Sequence, residues 1–193
     1  MAEITAAAVK ELRELTGVPM MDCKKALVET NGDIEAAKDF LRKRGQAKAI
    51  KKSSRETNDG AIAAYVSDDL RTASLVKLSC ETDFVAKNER FQNLLQTICS
   101  QVATQGDVDV PSQTLVGGSG TIQDLLTQSV AELGENIQFA EAKRFELEEG
   151  VIGSYIHMTG KIGVLVPIAT NGAADKDQLT SLARDIAMHI AAT

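Results

Sequence analysis

Over residues 4–44 the apolar side chains recur at every third or fourth position, which is the period of a helix face. Ile4, Ala8, Leu12 and Leu15 form the first face, with Thr5 placed to cap the helix and Gly17 to stop it. Pro19 suits the first turn of a second helix, which carries Met20, Met21, Cys23, Ala26 and Leu27 and ends at Asn31-Gly32. Asp33 caps a third, with Ile34, Ala37, Phe40 and Leu41 turned inward. After Asn58-Asp59-Gly60 the period shortens to that of strands, and residues 61–67 and 71–78 read as a hairpin turning at Asp68-Asp69. The helical period returns from about Lys87, with Phe91, Leu94, Leu95, Ile98 and Val102 on one side. A polar, glycine-rich loop over 106–120 leads to another helix, whose start at Thr121-x-x-Asp124 has the form of a capping box. Its core side is Ile122, Leu125, Leu126, Val130 and Leu133, and Gly134 closes it. Residues 137–147 resume strand character, 151–157 and 162–169 form a second hairpin around Thr159-Gly160, and a last helix from about Asp175 buries Leu179, Leu182, Ile186 and Ile190.

Part of this pattern repeats. Gly60-Ala-Ile62-Ala-Ala-Tyr65 matches Gly150-Val-Ile152-Gly-Ser-Tyr155, and Leu94, Ile98, Val102, Ala103 recurs as Leu182, Ile186, Ile190, Ala191. The fold class is therefore α+β: a small three-helix domain, then a pseudo-repeated core of antiparallel hairpins packed with helices. The expected boundaries are 1–45 for the helical domain, 46–57 for a basic linker, 58–139 for the first half of the core and 140–193 for the second. The copies differ between strand and helix, where the first has Glu81-Thr82-Asp83-Phe84 and the second the plain turn Thr170-Asn171-Gly172.

Composition changes this picture in a few places. Aromatic residues make up 4% of the 193-residue chain and Trp is absent, so the core is built from Ala, Val, Ile and Leu. A formal net charge of -6 argues against a chain that coats nucleic acid non-specifically. Against that balance, Arg42, Lys43, Arg44, Lys48, Lys51, Lys52 and Arg55 form a stretch without a single acid, readable as a solvated connector or as an RNA-binding module. Cys23, Cys80 and Cys99 are widely spaced and only two histidines, His157 and His189, accompany them. Buried free thiols in a reducing compartment are expected rather than a disulfide framework or a zinc site. Neither a signal peptide nor a membrane-spanning run is present, so the expected location is cytoplasmic.

Catalytic signatures are not found. Gly160-Lys161 lacks the earlier glycine and the following Ser or Thr of a phosphate-cradling loop, and Gly117-Gly118-Ser119-Gly120 fails the dinucleotide spacing. His157 has no carboxylate or nucleophile near it in sequence, so a hydrolase reading has little behind it. No catalytic residue, metal ligand or cofactor of its own is expected. What remains is Ser79-Cys80-Glu81-Thr82-Asp83-Phe84-Val85-Ala86-Lys87-Asn88, an apolar pair inside a polar strand-to-helix junction. Either Thr82 or Asp83 caps the helix and the pair packs back on it as a hydrophobic staple, or Asp83 and Phe84 stand out to enter another protein. Met20 and Met21 pose the same choice between core and a partner-facing patch.

Leu15-Thr16-Gly17 with Met20-Met21-Asp22-Cys23-Lys24-Lys25-Ala26-Leu27, then Thr82-Asp83-Phe84-Val85-Ala86-Lys87-Asn88, Leu133-Gly134-Glu135-Asn136-Ile137 and Ile186-Ala187-Met188-His189-Ile190-Ala191, together resemble the bacterial elongation factor Ts family. Val18-Pro19 departs from the commoner small-residue and glycine pair at that family's corner. The resemblance implies a ubiquitin-associated-like helical domain, a linker and a two-part α+β core. It also implies guanine nucleotide exchange on elongation factor Tu as the function. In the family, the segment corresponding to Thr82, Asp83, Phe84 and Val85 enters the GTPase near its magnesium and helps dislodge the ion. Positions matching Arg13, Met20 and Met21 grip a helix of the GTPase, and a histidine matching His157 reaches other parts of it. Many members continue after the counterpart of the last helix into a long helical hairpin and a closing segment. A second core half shortened at Thr193 is accordingly the expectation. Elongation factor Tu is the implied partner, with no membrane and no specific nucleic acid; oligomeric state is left open.

Overall fold

The computed structural model describes residues 4–158, 160–172 and 174–193. Helices and antiparallel sheets share the chain, as the α+β reading requires, in two compact units. Residues 1–55 with Thr127–Asn136 make the first, and Glu56–Leu126 with Ile137–Thr193 the second.

The first unit is organised by α1 (Ala6–Thr16), α2 (Met20–Glu29) and α3 (Ile34–Lys52). Thr5 Oγ1 accepts from the Ala8 amide and Asp33 Oδ1 from the Ala36 amide, so both expected caps form. Val9, Leu12, Cys23, Ala26, Leu27, Ala37 and Leu41 are the core, with Ile34 and Phe40 packed against it. On the inward face of α1, Leu12 is buried and Ile4 and Ala8 pack against the core as expected, while Leu15 does not. That face runs through Val9, Leu12 and Thr16, whose hydroxyl donates to the Leu12 carbonyl at 2.6 Å and lies 3.8 Å from Cys23 Sγ, and this turns Leu15 out to solvent. The stretch expected as a basic linker is helical as far as Lys52. Arg44 and Lys48 reach back to Asp22 of α2, at 3.6 and 2.7 Å, and hold the two helices together. Lys52 donates to the carbonyl of Gly134, the residue that follows α6 (Ile122–Leu133), and Asn136 donates to the Arg55 carbonyl at 2.8 Å.

The second unit begins with β1 (Asp59–Val66) and β2 (Thr72–Cys80), an antiparallel hairpin to which β3 (Ile137–Glu146) adds on the β2 side. Between β2 and β3 in sequence come α4 (Asp83–Ala86), α5 (Glu89–Gln105) and α6, whose capping box at Thr121 and Asp124 forms with both reciprocal amide bonds. Phe91, Leu94, Leu95, Ile98, Cys99 and Val102 of α5 are buried as expected. The helix is pinned to the sheet where the Ser74 hydroxyl donates to the Cys99 carbonyl at 2.6 Å and the Cys99 thiol donates to the Ala63 carbonyl at 3.3 Å. Because successive strand residues face opposite ways, Ile62 and Leu75 then point to the other face of that sheet. There they meet the second hairpin, β4 (Gly150–His157) and β5 (Ile162–Ala169), at Gly163. The helix α7 (Lys176–Ala191) covers the far side of β4–β5, so the unit is four layers deep.

The repeat is real at the level of backbone. Gly60 and Gly150 open β1 and β4 with φ of +147° and +127°, and a Cβ on either would stand about 2 Å from a carbonyl of the paired strand, 2.2 Å from that of Leu78 and 2.0 Å from that of Ile168. It breaks at the helices. In α7 the buried residues are Ala183 and Ala187, whereas Leu182 is 50% exposed and Ile190 49%. Gly153 explains the difference, since a Cβ there would lie 2.6 Å from that of Ala183. Without one, α7 settles on its small residues and the bulky stripe is displaced to the side.

Candidate functional site

At the end of β2 the buried Cys80 donates its thiol proton to the Thr82 carbonyl at 3.2 Å, which turns the chain out of the sheet. Thr82 is extended, and its hydroxyl accepts from the Val85 amide at 3.4 Å, so it is the N-cap of the single turn α4. That turn is fixed from below. Ala86 is buried, its carbonyl accepts from Gln92 Nε2 at 2.6 Å, and Asn88 caps α5 immediately after by accepting from the Arg90 amide at 2.9 Å. On its outer side Lys87 Nζ stands 2.6 Å from Asp83 Oδ2, and this carboxylate holds the Lys87 ammonium above its ordinary range.

The cap expected at this junction therefore forms, and the staple does not. Phe84 is 83% exposed. A phenyl ring left in water on a turn that is hydrogen-bonded at both ends forgoes about 1.5–3 kcal/mol of burial. Val85, half-buried, is the member of the pair that packs back. The corner therefore presents an apolar tip flanked by the carboxylate of Asp83.

The other expected contact residues fall in both units. Met20 and Met21 are exposed on the first turn of α2, 44% and 64%, and Arg13 is exposed near the end of α1. These belong to the first unit, Thr82–Val85 and His157 to the second. His157 closes β4 half-buried, its Nδ1 3.0 Å from the Tyr155 hydroxyl. A phenol thus stands where a triad would set a carboxylate to orient the imidazole. Among the described residues no group of three His, Cys, Asp or Glu side chains is placed to hold a metal ion. No described helix is long and apolar enough to cross a membrane. All three cysteines are free thiols and buried, and burial raises the thiols of Cys23 and Cys99 above their ordinary range.

Sequence reasoning missed what lies beside the tip. Lys161, which in sequence fits only an incomplete phosphate loop, extends its ammonium to Asp59 Oδ1 at 2.5 Å and to the Gly60 carbonyl at 3.2 Å. Asp59 is paired across the sheet with Cys80, at the foot of the corner, and α4 packs on β1. The turn that carries His157 and the corner that carries Phe84 are so joined at one end of the second unit. Residues so far apart along the chain give no local signal of this.

A family model described as elongation factor TS matches residues 81–193, starting at the corner itself. The elongation factor Ts of Caulobacter vibrioides is 47% identical over 201 residues, covering 100% of this chain and 64% of that protein. The elongation factor Ts of Clostridium tetani is 48% identical over 193 residues, covering 98% and 63%. That of Rhizobium rhizogenes is 48% identical over 200 residues, covering 100% and 64%. The chain thus spans less than two thirds of the length of these relatives. With more than half of its residues matched by one family model and nearly all of them by each of these relatives, the chain belongs to the elongation factor Ts family.

Proposed function

We propose that this chain is a cytoplasmic translation factor that acts as a guanine nucleotide exchange factor on elongation factor Tu. It has no catalytic site or cofactor of its own and acts on the GDP and Mg2+ that its partner holds. Thr82, Asp83, Phe84 and Val85 enter beside that ion and dislodge it, while Arg13, Met20 and Met21, and separately His157, grip the partner elsewhere. The observation that carries this reading is the 83% exposure of Phe84 on a corner whose backbone is capped on both sides. A rigid apolar tip loses little freedom on docking, so most of its burial energy goes into the complex.

Magnitudes set what the tip contributes. Burying one Phe ring supplies about 1.5–3 kcal/mol, which is roughly one to two decades in a rate or equilibrium constant. Any larger acceleration comes from displacement of the partner's magnesium, whose coordination no longer holds the phosphates once the segment has entered. The test is release of fluorescent GDP from elongation factor Tu in stopped flow, with excess unlabelled GDP. Phe84→Ala folds normally, because its ring touches little of its own chain, and slows the maximal release rate about 10- to 100-fold. Release at wild-type speed with this variant refutes the wedge.

The RNA-binding alternative loses support from the pairing of its cations. Arg44 and Lys48 are committed to Asp22 and Lys52 to the Gly134 carbonyl, so three of the seven cations of the basic stretch are engaged in holding their own unit together.

A further inference from the structure

Lys161, Asp59, Lys87 and Asp83 form, in that order, a line of alternating charge. The Lys161 ammonium lies 2.5 Å from Asp59 Oδ1, and the Asp83 carboxylate lies 2.6 Å from the Lys87 ammonium. The two pairs are close enough to feel each other: the Lys161 hydrogen bond, the Gly60 amide and then the positive charges of Lys161 and Lys87 hold the Asp59 carboxyl below its ordinary range. The Asp59–Lys161 pair is only partly shielded, with side chains 26% and 46% exposed. Its backbone surroundings are tight. The Ile62 amide donates to the Gly160 carbonyl at 2.7 Å, and a Cβ on Gly160 would stand 2.9 Å from the Ile62 carbonyl. Next to this anchor, Met158, 67% exposed, is held at φ +49°, a conformation that a non-glycine residue adopts at a cost. A strained, solvent-facing methionine beside a long-range ion pair is a poor arrangement for stability alone.

We propose that Asp59 and Lys161 are positioning residues: they clamp the turn bearing His157 and Met158 to the foot of the Phe84 corner, so that turn and corner meet the GTPase as one surface, Met158 being an additional contact. This rests on the exchange-factor reading. The clamp acts on how well the second hairpin is aimed and leaves the wedge untouched. It therefore affects the concentration of chain that half-saturates exchange and not the maximal rate.

The experiment uses the full chain and elongation factor Tu loaded with fluorescent GDP, titrated to separate the half-saturating concentration from the maximal release rate. Lys161→Ala and Asp59→Asn each raise the half-saturating concentration about two- to five-fold, the range for one partly exposed ion pair, with the maximal rate unchanged. Met158→Ala raises it too, but adds little in a Lys161→Ala background, whereas Phe84→Ala keeps its whole effect on the maximal rate there. A purely structural pair would instead give additive losses with Met158→Ala, and that result overturns the proposal, as does a wild-type half-saturating concentration in both single variants. Amide hydrogen exchange on the free chain provides a readout independent of the partner. Lys161→Ala speeds exchange of the Ile62 amide if the clamp holds the turn, and an unchanged rate overturns the clamp whatever the GTPase does. If the wild-type chain fails to accelerate GDP release at all, the exchange-factor reading falls and the positioning role with it, even with the Ile62 result intact.

Discussion

The glycines that open β1 and β4 show what a single residue decides in this chain. At Gly60 the paired strand leaves no room, since the Leu78 carbonyl would be 2.2 Å from an added Cβ, and the φ of +147° is one that L side chains rarely adopt. Gly150 faces the same two obstacles from Ile168. Backbone lines both contacts, so no side chain can swing away to relieve them. Gly60→Ala and Gly150→Ala should each cost at least about 2 kcal/mol, measured by urea denaturation, because strain and overlap act together. Gly106→Ala is the control: its φ of +96° carries strain, but nothing lies within 4 Å of the added carbon, and its cost should be clearly smaller. These glycines are legible in the sequence as a repeat, though not as a pair of close approaches. The exposure of Phe84 is implied by the family resemblance but is not decided by the residues themselves. Sequence places an apolar pair at a capped junction, and a hydrophobic staple and a projecting tip need the same residues there. Which of Phe84 and Val85 packs back depends on the exit angle that Cys80 and Thr82 set.

Among the elements, periodicity locates the long helices and the strands, but it misjudges which side of some helices faces inward. For α5, where Leu95 and Cys99 sit against the sheet, the apolar stripe and the buried face coincide. In α7 the equivalent positions are Ala183 and Ala187, and the helix rolls toward them because Gly153 lets it approach. The hydrophobic period gives the direction of a face to within a turn of the wheel, and only the partner's side-chain volumes decide the rest. Charge misleads in the same way at α3. A run of lysines and arginines reads as a solvated connector, yet the Asp22 carboxylate, 16% exposed, draws Arg44 and Lys48 onto α2 and keeps the helix going. This pairing has a pH signature. The Lys48 hydrogen bond, with help from the charges of Lys48 and Arg44, holds the Asp22 carboxyl below its ordinary range against the opposing effect of burial. A carboxyl depressed in the folded state stabilises at any pH above the unfolded value of about 3.9, and loses that contribution as pH falls through the folded value. Asp22→Asn should therefore cost about 1 kcal/mol at pH 7, since both cations are about one-third exposed and screened. The difference from wild type should shrink steadily below about pH 4. Urea titrations of the two proteins at a series of pH values check this, and a gap that is constant down to the acid limit would show that the ion pairs contribute nothing.

Each unit of the whole molecule offers an apolar contact to the proposed partner, Met20 and Met21 in one and Phe84 in the other, and exchange by such a chain obeys a constraint that no single contact can evade. If the chain lowers the affinity of elongation factor Tu for GDP by some factor, GDP must lower the affinity of elongation factor Tu for the chain by the same factor. Under the proposed mechanism Phe84 is where the two equilibria compete, because its ring would be buried only with the nucleotide pocket open. The methionines of α2, under the same proposal, would bind whether or not nucleotide is present. Removing the ring should thus reduce both sides of the coupling together, by about 10- to 100-fold, while Met20→Ala with Met21→Ala weakens the complex equally with and without GDP and leaves the coupling factor as it was. Four titrations close the cycle for each protein: GDP on the GTPase with and without saturating chain, and chain on the GTPase with and without saturating GDP. A Phe84→Ala chain that retains the full coupling factor would mean that GDP is expelled by contacts elsewhere, and that the exposed ring at the corner serves binding in general and not the opening of the nucleotide site.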